Sequence, residues 1–285
     1  MAATLLAHAG PDSSPWAFDL HADVLVVLGA LALAYVVAIR RLGPRLAAAA
    51  GEPVLSSRQR NLLVGGLVGM FVFSYWPVHN LAEGFSYTVH MVQHSVYTLA
   101  VPPLLILGTP AWLWRWALGP VIGLARQLTR PVVAVTVFSV VTLLSHLPAF
   151  ANAAVTSEPA HLVQHVVLVL TAGMMWWPLT SPVPELPRIA HPIKQVLYLA
   201  AASLVPSVVG SSLIWARGTP YTAYEAFPTL GGWTALADQQ TAGFVMSLAD
   251  GLVLWGLVLV IFVRFALRPR RLGREPGLPL VSPRA

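Results

Sequence analysis

Seven long apolar runs constrain the fold of this chain more than any other feature of its sequence. Only 10% of the residues are charged, against about a quarter in soluble proteins. Each run is close to the roughly 20 residues that an α-helix needs to cross a bilayer. Because a lone helix satisfies its own backbone hydrogen bonds in lipid, the runs predict an all-α, polytopic membrane protein with seven transmembrane helices. The runs cover residues 24–39, 61–78, 89–107, 131–147, 161–177, 196–214 and 241–265.

The Lys and Arg residues predict the orientation of these helices. All of the 17 except Arg217 lie in the loops after the first, third and fifth runs or around the end of the seventh. Those positions share one side of the membrane, and the positive-inside rule makes that side cytoplasmic. The N-terminus is therefore predicted outside and the C-terminus in the cytoplasm. Because the basic residues separate apolar runs, they indicate membrane topology and not nucleic-acid binding.

The same patterns divide the chain into three parts. Residues 1–20 are predicted to form an outer N-terminal arm, and residues 21–267 a seven-helix transmembrane domain. Residues 268–285 are basic and rich in proline, which predicts a disordered cytoplasmic tail. The chain has no cysteine, so disulfides, thiolate metal sites and iron–sulfur clusters are excluded.

A repeated pair of histidines stands at the outer edge of two of the runs. His90-Met-Val-Gln-His94 opens the third run and His161-Leu-Val-Gln-His165 opens the fifth. Residues four apart share a helix face, so each pair can present two imidazoles to one ion. A histidine in hydrocarbon costs free energy unless it is paired or liganded. The second and fourth runs also end in histidine, so the predicted metal ligands are His79, His90, His94, His146, His161 and His165.

The remaining histidines have a simpler interpretation. His8 and His21 lie on or near the outer arm, and His191 lies on the predicted cytoplasmic side. A single histidine at a membrane interface is usually a polar residue that reaches toward water. We therefore expect these three to have no role in metal binding.

The seventh run adds polar and sulfur-bearing residues. Asp238 and Met246 are about two helical turns apart on one face, so Met246 is a predicted ligand and Asp238 either caps the helix or orients an imidazole. Met91, beside His90, is a supporting sulfur. Asp250 lies about 18 Å deeper than Asp238 at 1.5 Å per residue. Two interpretations stay open for it, a functional acid or a neutral hydrogen-bonded one.

The donor types favour one metal. Imidazole suits zinc, copper, iron and nickel, whereas thioether sulfur favours Cu(I), so the expected ion is copper as Cu(I). The chain has no His-Glu-x-x-His motif of a zinc protease and no Gly-rich phosphate loop. Transmembrane b-type haems take axial histidines from opposite sides of the porphyrin, which a pair on one helix suits badly.

Three stretches resemble a known family. They are "HMVQHSVYTLAVPPLLILGTP" at 90–110, "HLVQHVVLVLTAGMMWWPL" at 161–179 and "DQQTAGFVMSL" at 238–248. They resemble CtaG, the multi-span bacterial assembly factor of caa-type cytochrome c oxidases. The resemblance implies a protein of the bacterial inner (cytoplasmic) membrane that helps to insert copper into oxidase subunit I, and not an enzyme. The chain departs from the usual family pattern at Gln164, Ser247 and Asp250, where that pattern has Glu, Trp and Gly.

The leading hypothesis is therefore a copper-binding assembly factor that takes copper from an extracytoplasmic donor and passes it to cytochrome c oxidase subunit I within the lipid bilayer. A membrane copper transporter is the main alternative, although transport requires ligands along the pathway. A third is an oxidase-stabilising subunit whose histidines form hydrogen bonds without metal. No nucleic-acid partner is expected, and homo-oligomer formation stays open.

Overall fold

The computed structural model describes residues 14–18, 20–226 and 230–267 and contains eleven helices and no strand within them. The all-α prediction is confirmed. The predicted basic tail and most of the predicted N-terminal arm lie outside the described residues. The helices are α1 (Ala22–Arg41), α2 (Gly43–Ala50), α3 (Ser57–Ser74), α4 (Val78–Gly84), α5 (Tyr87–Gly108), α6 (Ala111–Leu128), α7 (Pro131–Ser145), α8 (Pro148–Val155), α9 (Glu158–Thr180), α10 (Pro192–Ile214) and α11 (Ala235–Ala266).

Five of these helices are long and apolar enough to cross a membrane, namely α1, α5, α9, α10 and α11. The count rises to seven if α3 with α4, bent by 47°, and α6 with α7, bent by 83°, each form one span. The number of spans thus lies between five and the predicted seven. The fourth apolar run forms only the 15 residues of α7, which is short for a span.

Prolines explain both bends. Pro77 lies between α3 and α4, and Pro131 opens α7 after the turn that follows α6. A proline has no N–H to continue a helix and disfavours helical backbone in the residue before it. The second apolar run therefore ends its first helix at Ser74, and His79 lies on a separate short helix. This break corrects the expectation of one continuous helix over 61–78.

Two prolines inside α5, Pro102 and Pro103, do not end the helix. A π turn, Val96–Ala100, precedes them, and the helix then continues to Gly108. Pro102 cannot donate to the carbonyl of Thr98, and that oxygen instead accepts a 2.8 Å hydrogen bond from the indole Nε1 of Trp176 on α9. The contact satisfies a buried backbone group and fixes α5 against α9.

Two hairpins repeat the same design at the outer end of the bundle. α3–α4–α5 and α7–α8–α9 each consist of a long helix, a short helix and a helix that opens with the histidine motif. Ser86 caps α5 and Ser157 caps α9, and their side chains accept the N–H of the residue three positions later. Each serine lies four residues before the first histidine, so His90 and His161 occupy equivalent positions one turn inside their helices.

The glutamines of the two motifs are also equivalent. Gln93 donates through Nε2 to the carbonyl of Phe73 at 2.6 Å, near the end of α3. Gln164 donates through Nε2 to the carbonyl of Ser145 at 3.0 Å, at the end of α7. Each glutamine satisfies a helix-end carbonyl that has no intrahelical partner, and so joins the two long helices of its hairpin.

α10 and α11 make a close approach in the core at two glycines. A methyl group built on Gly243 would lie 2.6 Å from the carbonyl oxygen of Gly210 and 2.7 Å from Cβ of Leu213. Only hydrogen fits in that space. By contrast, α1 lies at the edge of the bundle and none of the 18 residues of its apolar window is buried.

This approach predicts a position-specific effect on stability. We expect Gly243→Ala to destabilise the protein by about 1–3 kcal/mol, because the methyl group must push two backbones apart. The measurement is the unfolding temperature of the purified protein in detergent. Gly173→Ala in α9 is the matched control, since a methyl group there has nothing within 4 Å and alanine favours a helix over glycine. Equal unfolding temperatures for the two variants would contradict the tight crossing.

Candidate metal centre

Four side chains from three helices form a compact group at the end of the bundle where α5 and α9 begin. Glu83 comes from α4, His90 from α5, and His161 and His165 from α9, and one ligand atom of each lies within 4.8 Å of the others. Oε1 of Glu83 is 2.9 Å from Nε2 of His161 and 3.6 Å from Nδ1 of His90. These three atoms are imidazole and carboxylate donors, which are ordinary ligands of a transition metal.

The same atoms leave their hydrogen-bonding capacity unused. Oε1 of Glu83, Nδ1 of His90 and Nε2 of His161 are all buried and have no hydrogen-bond partner in the structure. The 2.9 Å contact between Oε1 of Glu83 and Nε2 of His161 is therefore at the distance of an ion pair but does not have the geometry of a hydrogen bond. Buried polar atoms are normally paired. Oε1 of Glu83 contacts the two imidazoles at ion-pair distance, while none of the three atoms has a hydrogen bond among the described residues, and this geometry fits a cation held between them.

Glu83 was not among the residues predicted from the sequence. It lies four residues after His79, and the two side chains contact at 4.0 Å between Nδ1 and Oε1. This is the same i, i+4 spacing as in the two histidine pairs, so the spacing was a usable signal. Along the second and third runs the prediction weighed histidines and Met91 but no acidic residue, and it placed residues 61–78 in one helix, whereas α4 turns Glu83 toward the imidazoles.

The other predicted histidines adjoin the compact group. Nε2 of His94 is 3.0 Å from Nε2 of His165. The ring of His79 is 6.1 Å from that of His161, and the ring of His146 is 5.9 Å from that of His94. The structure thus brings all six predicted histidines into one connected cluster, with three of them in the compact group and three beside it.

His21 extends this cluster at its outer edge. Its ring centroid lies 4.4 Å from that of His79, and its Nε2 donates to Oδ1 of Asn80 at 2.6 Å. The side chain is buried, at 9% exposure, so His21 is a hydrogen-bonded polar residue that packs against the cluster and does not reach toward water. His191 lies away from the cluster and contacts Phe265 at the end of α11, while His8 lies outside the described residues.

Asp238 stabilises the N-terminus of α5 and not an imidazole. Its Oδ2 accepts the backbone N–H of Tyr87 at 2.6 Å, and its Oδ1 accepts that of Thr88 at 3.1 Å and the hydroxyl of Ser86 at 3.0 Å. A carboxylate at this position satisfies free N–H groups and complements the helix dipole. The cap of its own helix, α11, is Thr234. Asp238 therefore fixes the position of the helix that carries His90.

The other predicted supporting residues lie beside or below the compact group. Met91 is 1% exposed and packs in the apolar core with Tyr87 and Met246. Met246 and Asp250 line a small cavity together with His94. The predicted sulfur ligand and the deep acid thus lie beneath the compact group and outside it.

A larger cleft reaches the compact group from the side. It has a volume of about 530 Å³ and lies between α1, α3 and α9, with apolar walls that include Val27, Met70 and Val166. Its polar end is formed by His79, Glu83, His161 and His165, with His21 at the rim. The cleft runs along candidate membrane spans, so the donor group is accessible from within the apolar zone.

A family model described as "cytochrome c oxidase caa3 assembly factor (Caa3_CtaG)" matches residues 33–267. The chain belongs to the CtaG family. The match includes every residue of the compact group and confirms the resemblance seen in the three sequence stretches. No curated protein and no solved structure matches this sequence.

In this CtaG-family protein we expect Asp238→Asn to lower stability. The amide NH₂ would face backbone N–H groups of α5 in place of a carboxylate oxygen, and an unsatisfied buried donor costs about 1–3 kcal/mol. The measurement is the unfolding temperature, with metal content determined in parallel. Glu225→Gln, an exposed acid-to-amide change, is the control and should have little effect. A stable Asp238→Asn protein that loses its metal would instead favour a direct role at the ion.

Proposed function

We propose that this CtaG-family protein binds copper, as Cu(I), at the outer end of its helix bundle and passes it to cytochrome c oxidase subunit I. The observation that carries the proposal is the convergence of Glu83, His90, His161 and His165, in which the first three have buried donor atoms without a hydrogen bond among the described residues. The family match supports cytochrome c oxidase as the acceptor, because members of the family are cytochrome c oxidase assembly factors. An assembly factor needs to bind and release its cargo and requires no catalytic group.

Donor chemistry supports copper as the cargo. Three imidazoles and a carboxylate suit copper or zinc. Met246 lies outside the compact group, in the cavity that His94 also lines, so its thioether does not decide between the two metals at the group itself. An oxidase assembly role agrees with copper, because the oxidase takes copper and not zinc at its reaction centre. The copper itself comes from an extracytoplasmic donor in this proposal.

The lateral cleft supports transfer within the membrane. An acceptor site in a membrane subunit lies among the helices of that subunit. In this protein α1 is loosely packed beside the 530 Å³ cleft, which leaves room for a helix of the acceptor to approach the donors. The ion would then move between protein ligands without passing through bulk water. This route distinguishes a membrane factor from a soluble copper carrier.

The packing below the site argues against the transporter alternative. Beneath Asp250 the described interior is filled by apolar side chains such as Leu99, Phe138 and Leu254. A transport path requires donors that continue across the membrane. Copper uptake by vesicles that contain the purified protein would nevertheless favour transport over assembly.

The first test is Cu(I) binding by the purified protein, measured by competition with a chelator. We expect His90→Ala and His161→Ala each to weaken binding by more than 100-fold, since loss of a residue that only orients a ligand already costs about 10–100-fold. Glu83→Gln should also weaken binding. His191→Ala, at the opposite end, should leave the affinity unchanged. A His90→Ala/His161→Ala protein with full affinity would contradict the site.

In cells, the same double variant should produce an oxidase that is assembled and inserted but short of copper. An oxidase that contains its copper in this background would refute the proposed delivery. An oxidase subunit that disappears altogether would favour the stabilising-subunit alternative.

The proposal also requires the histidine end to be extracytoplasmic, in a bacterial cytoplasmic membrane with the N-terminus outside. The opposite end carries the basic loops, where Arg115 of α6 contacts Glu52 at 2.8 Å and Glu185 at 3.0 Å. Three loops that share the predicted cytoplasmic side thus meet at one end of the bundle, which supports the positive-inside assignment.

Single cysteines can test this orientation, because the chain contains none of its own. We expect exposed cysteines at Thr156→Cys and Thr222→Cys to react with an impermeant thiol reagent in intact cells. Ala49→Cys and Ala190→Cys, exposed at the other end, should react only after the membrane is opened. The reverse pattern would place the metal centre in the cytoplasm.

A further inference from the structure

A second set of unsatisfied donors lies directly beneath the compact group. A cavity of about 20 Å³ is lined by His94, Thr142, His146, Met246 and Asp250, with apolar Phe138 on the same wall. This volume holds one water or one small ion. None of its polar side chains belongs to the compact group of Glu83, His90, His161 and His165, so the cavity is a separate feature.

His146 is held in the form that binds a metal. Its Nδ1 donates to the carbonyl of Thr142 at 2.8 Å, so the proton is on Nδ1 and Nε2 carries a free lone pair. Metal-binding histidines are usually fixed by such a hydrogen bond from the other ring nitrogen. Nε2 of His146 is buried and has no hydrogen-bond partner.

Three further polar atoms on residues that line this cavity are buried and unpartnered. They are Nδ1 of His94, Oγ1 of Thr142 and Oδ2 of Asp250. His94, His146 and Asp250 are all less than 9% exposed, and burying a carboxylate without a partner is unfavourable. A cation in the cavity would satisfy the two imidazoles, Met246 would add a thioether, and the Asp250 carboxylate on the cavity wall would balance its charge.

The backbone is irregular at the same level. A π turn begins at Val96, two residues after His94, and a second begins at Gly251, directly after Asp250. Single π turns inside α-helices occur frequently at functional sites, because they shift side chains out of the regular helical register. α5 and α11 thus both line the cavity, and each changes its helical register at a π turn close to it.

We propose that this cavity is a second, deeper Cu(I) subsite, with His94, His146 and Met246 as ligands and Asp250 as the charge on its wall that balances the ion. The proposal rests on the proposed copper function of the compact group and adds a second ion position to it. His94 links the two positions, because its Nε2 lies 3.0 Å from Nε2 of His165 in the compact group while its Nδ1 is unpartnered. With a thioether among its ligands, the deeper subsite is the softer and more Cu(I)-selective of the two.

The test is a titration of the purified apo-protein with Cu(I), read by bound copper per chain and by X-ray absorption for sulfur ligation. We expect two ions in the wild type, one of them with a sulfur neighbour. Met246→Leu, a volume-conserving change, should bind one ion without the sulfur signal, and Asp250→Asn should weaken the same ion. Glu83→Gln with His90→Ala should lose the other ion and keep the sulfur signal.

Met175→Leu is the matched control, because Met175 is a fully buried methionine of the neighbouring apolar core that does not line this cavity; it should keep both ions and the sulfur signal. A wild-type protein with one ion and only nitrogen or oxygen neighbours would overturn the deeper subsite and leave the proposed function intact, with water in the cavity. A protein that binds no copper would overturn both. A sulfur signal unchanged by Met246→Leu would also overturn the assignment.

Discussion

Burial of the Glu83 carboxylate among imidazoles is the interaction on which the outer half of the structure depends. A carboxylate in an apolar bundle is stable only when it is paired or bound to a cation. Here its partners come from α5 and α9, so three helices must meet within a few ångströms. The bend between α3 and α4 makes that meeting possible, since a straight helix over 57–84 would carry Glu83 away from the bundle.

The compact group is positioned by hydrogen bonds from side chains outside it. Asp238 and Ser86 satisfy the first N–H groups of α5, and Gln93 and Gln164 bind the carbonyl ends of α3 and α7. Unpaired helix ends would be costly at the edge of the bilayer. The same hydrogen bonds that avoid this cost also fix the depth and rotation of the imidazoles, so fold stability and site geometry depend on one set of contacts.

The interior combines tight and open regions with different consequences. The Gly210–Gly243 crossing brings α10 and α11 together at their backbones, and this holds α11 where Met246 and Asp250 line the cavity beneath His94. α1, in contrast, has little buried surface and borders the lateral cleft. A rigid core around the donors beside a loosely packed edge helix is the arrangement that the proposed binding and release of copper would require.

The sequence by itself determined the helical class, the membrane character and the histidine pairs, because these depend on local hydropathy and on i, i+4 spacing, and the resemblance of three stretches to CtaG indicated the family. It also identified all six histidines of the cluster. Only the tertiary structure decided that Glu83 joins them, that His21 extends them, that Asp238 caps α5, and that His146, Met246 and Asp250 lie in a separate cavity. Those outcomes depend on distances between helices far apart in the chain, and on bends at Pro77 and Pro131, which local periodicity does not encode.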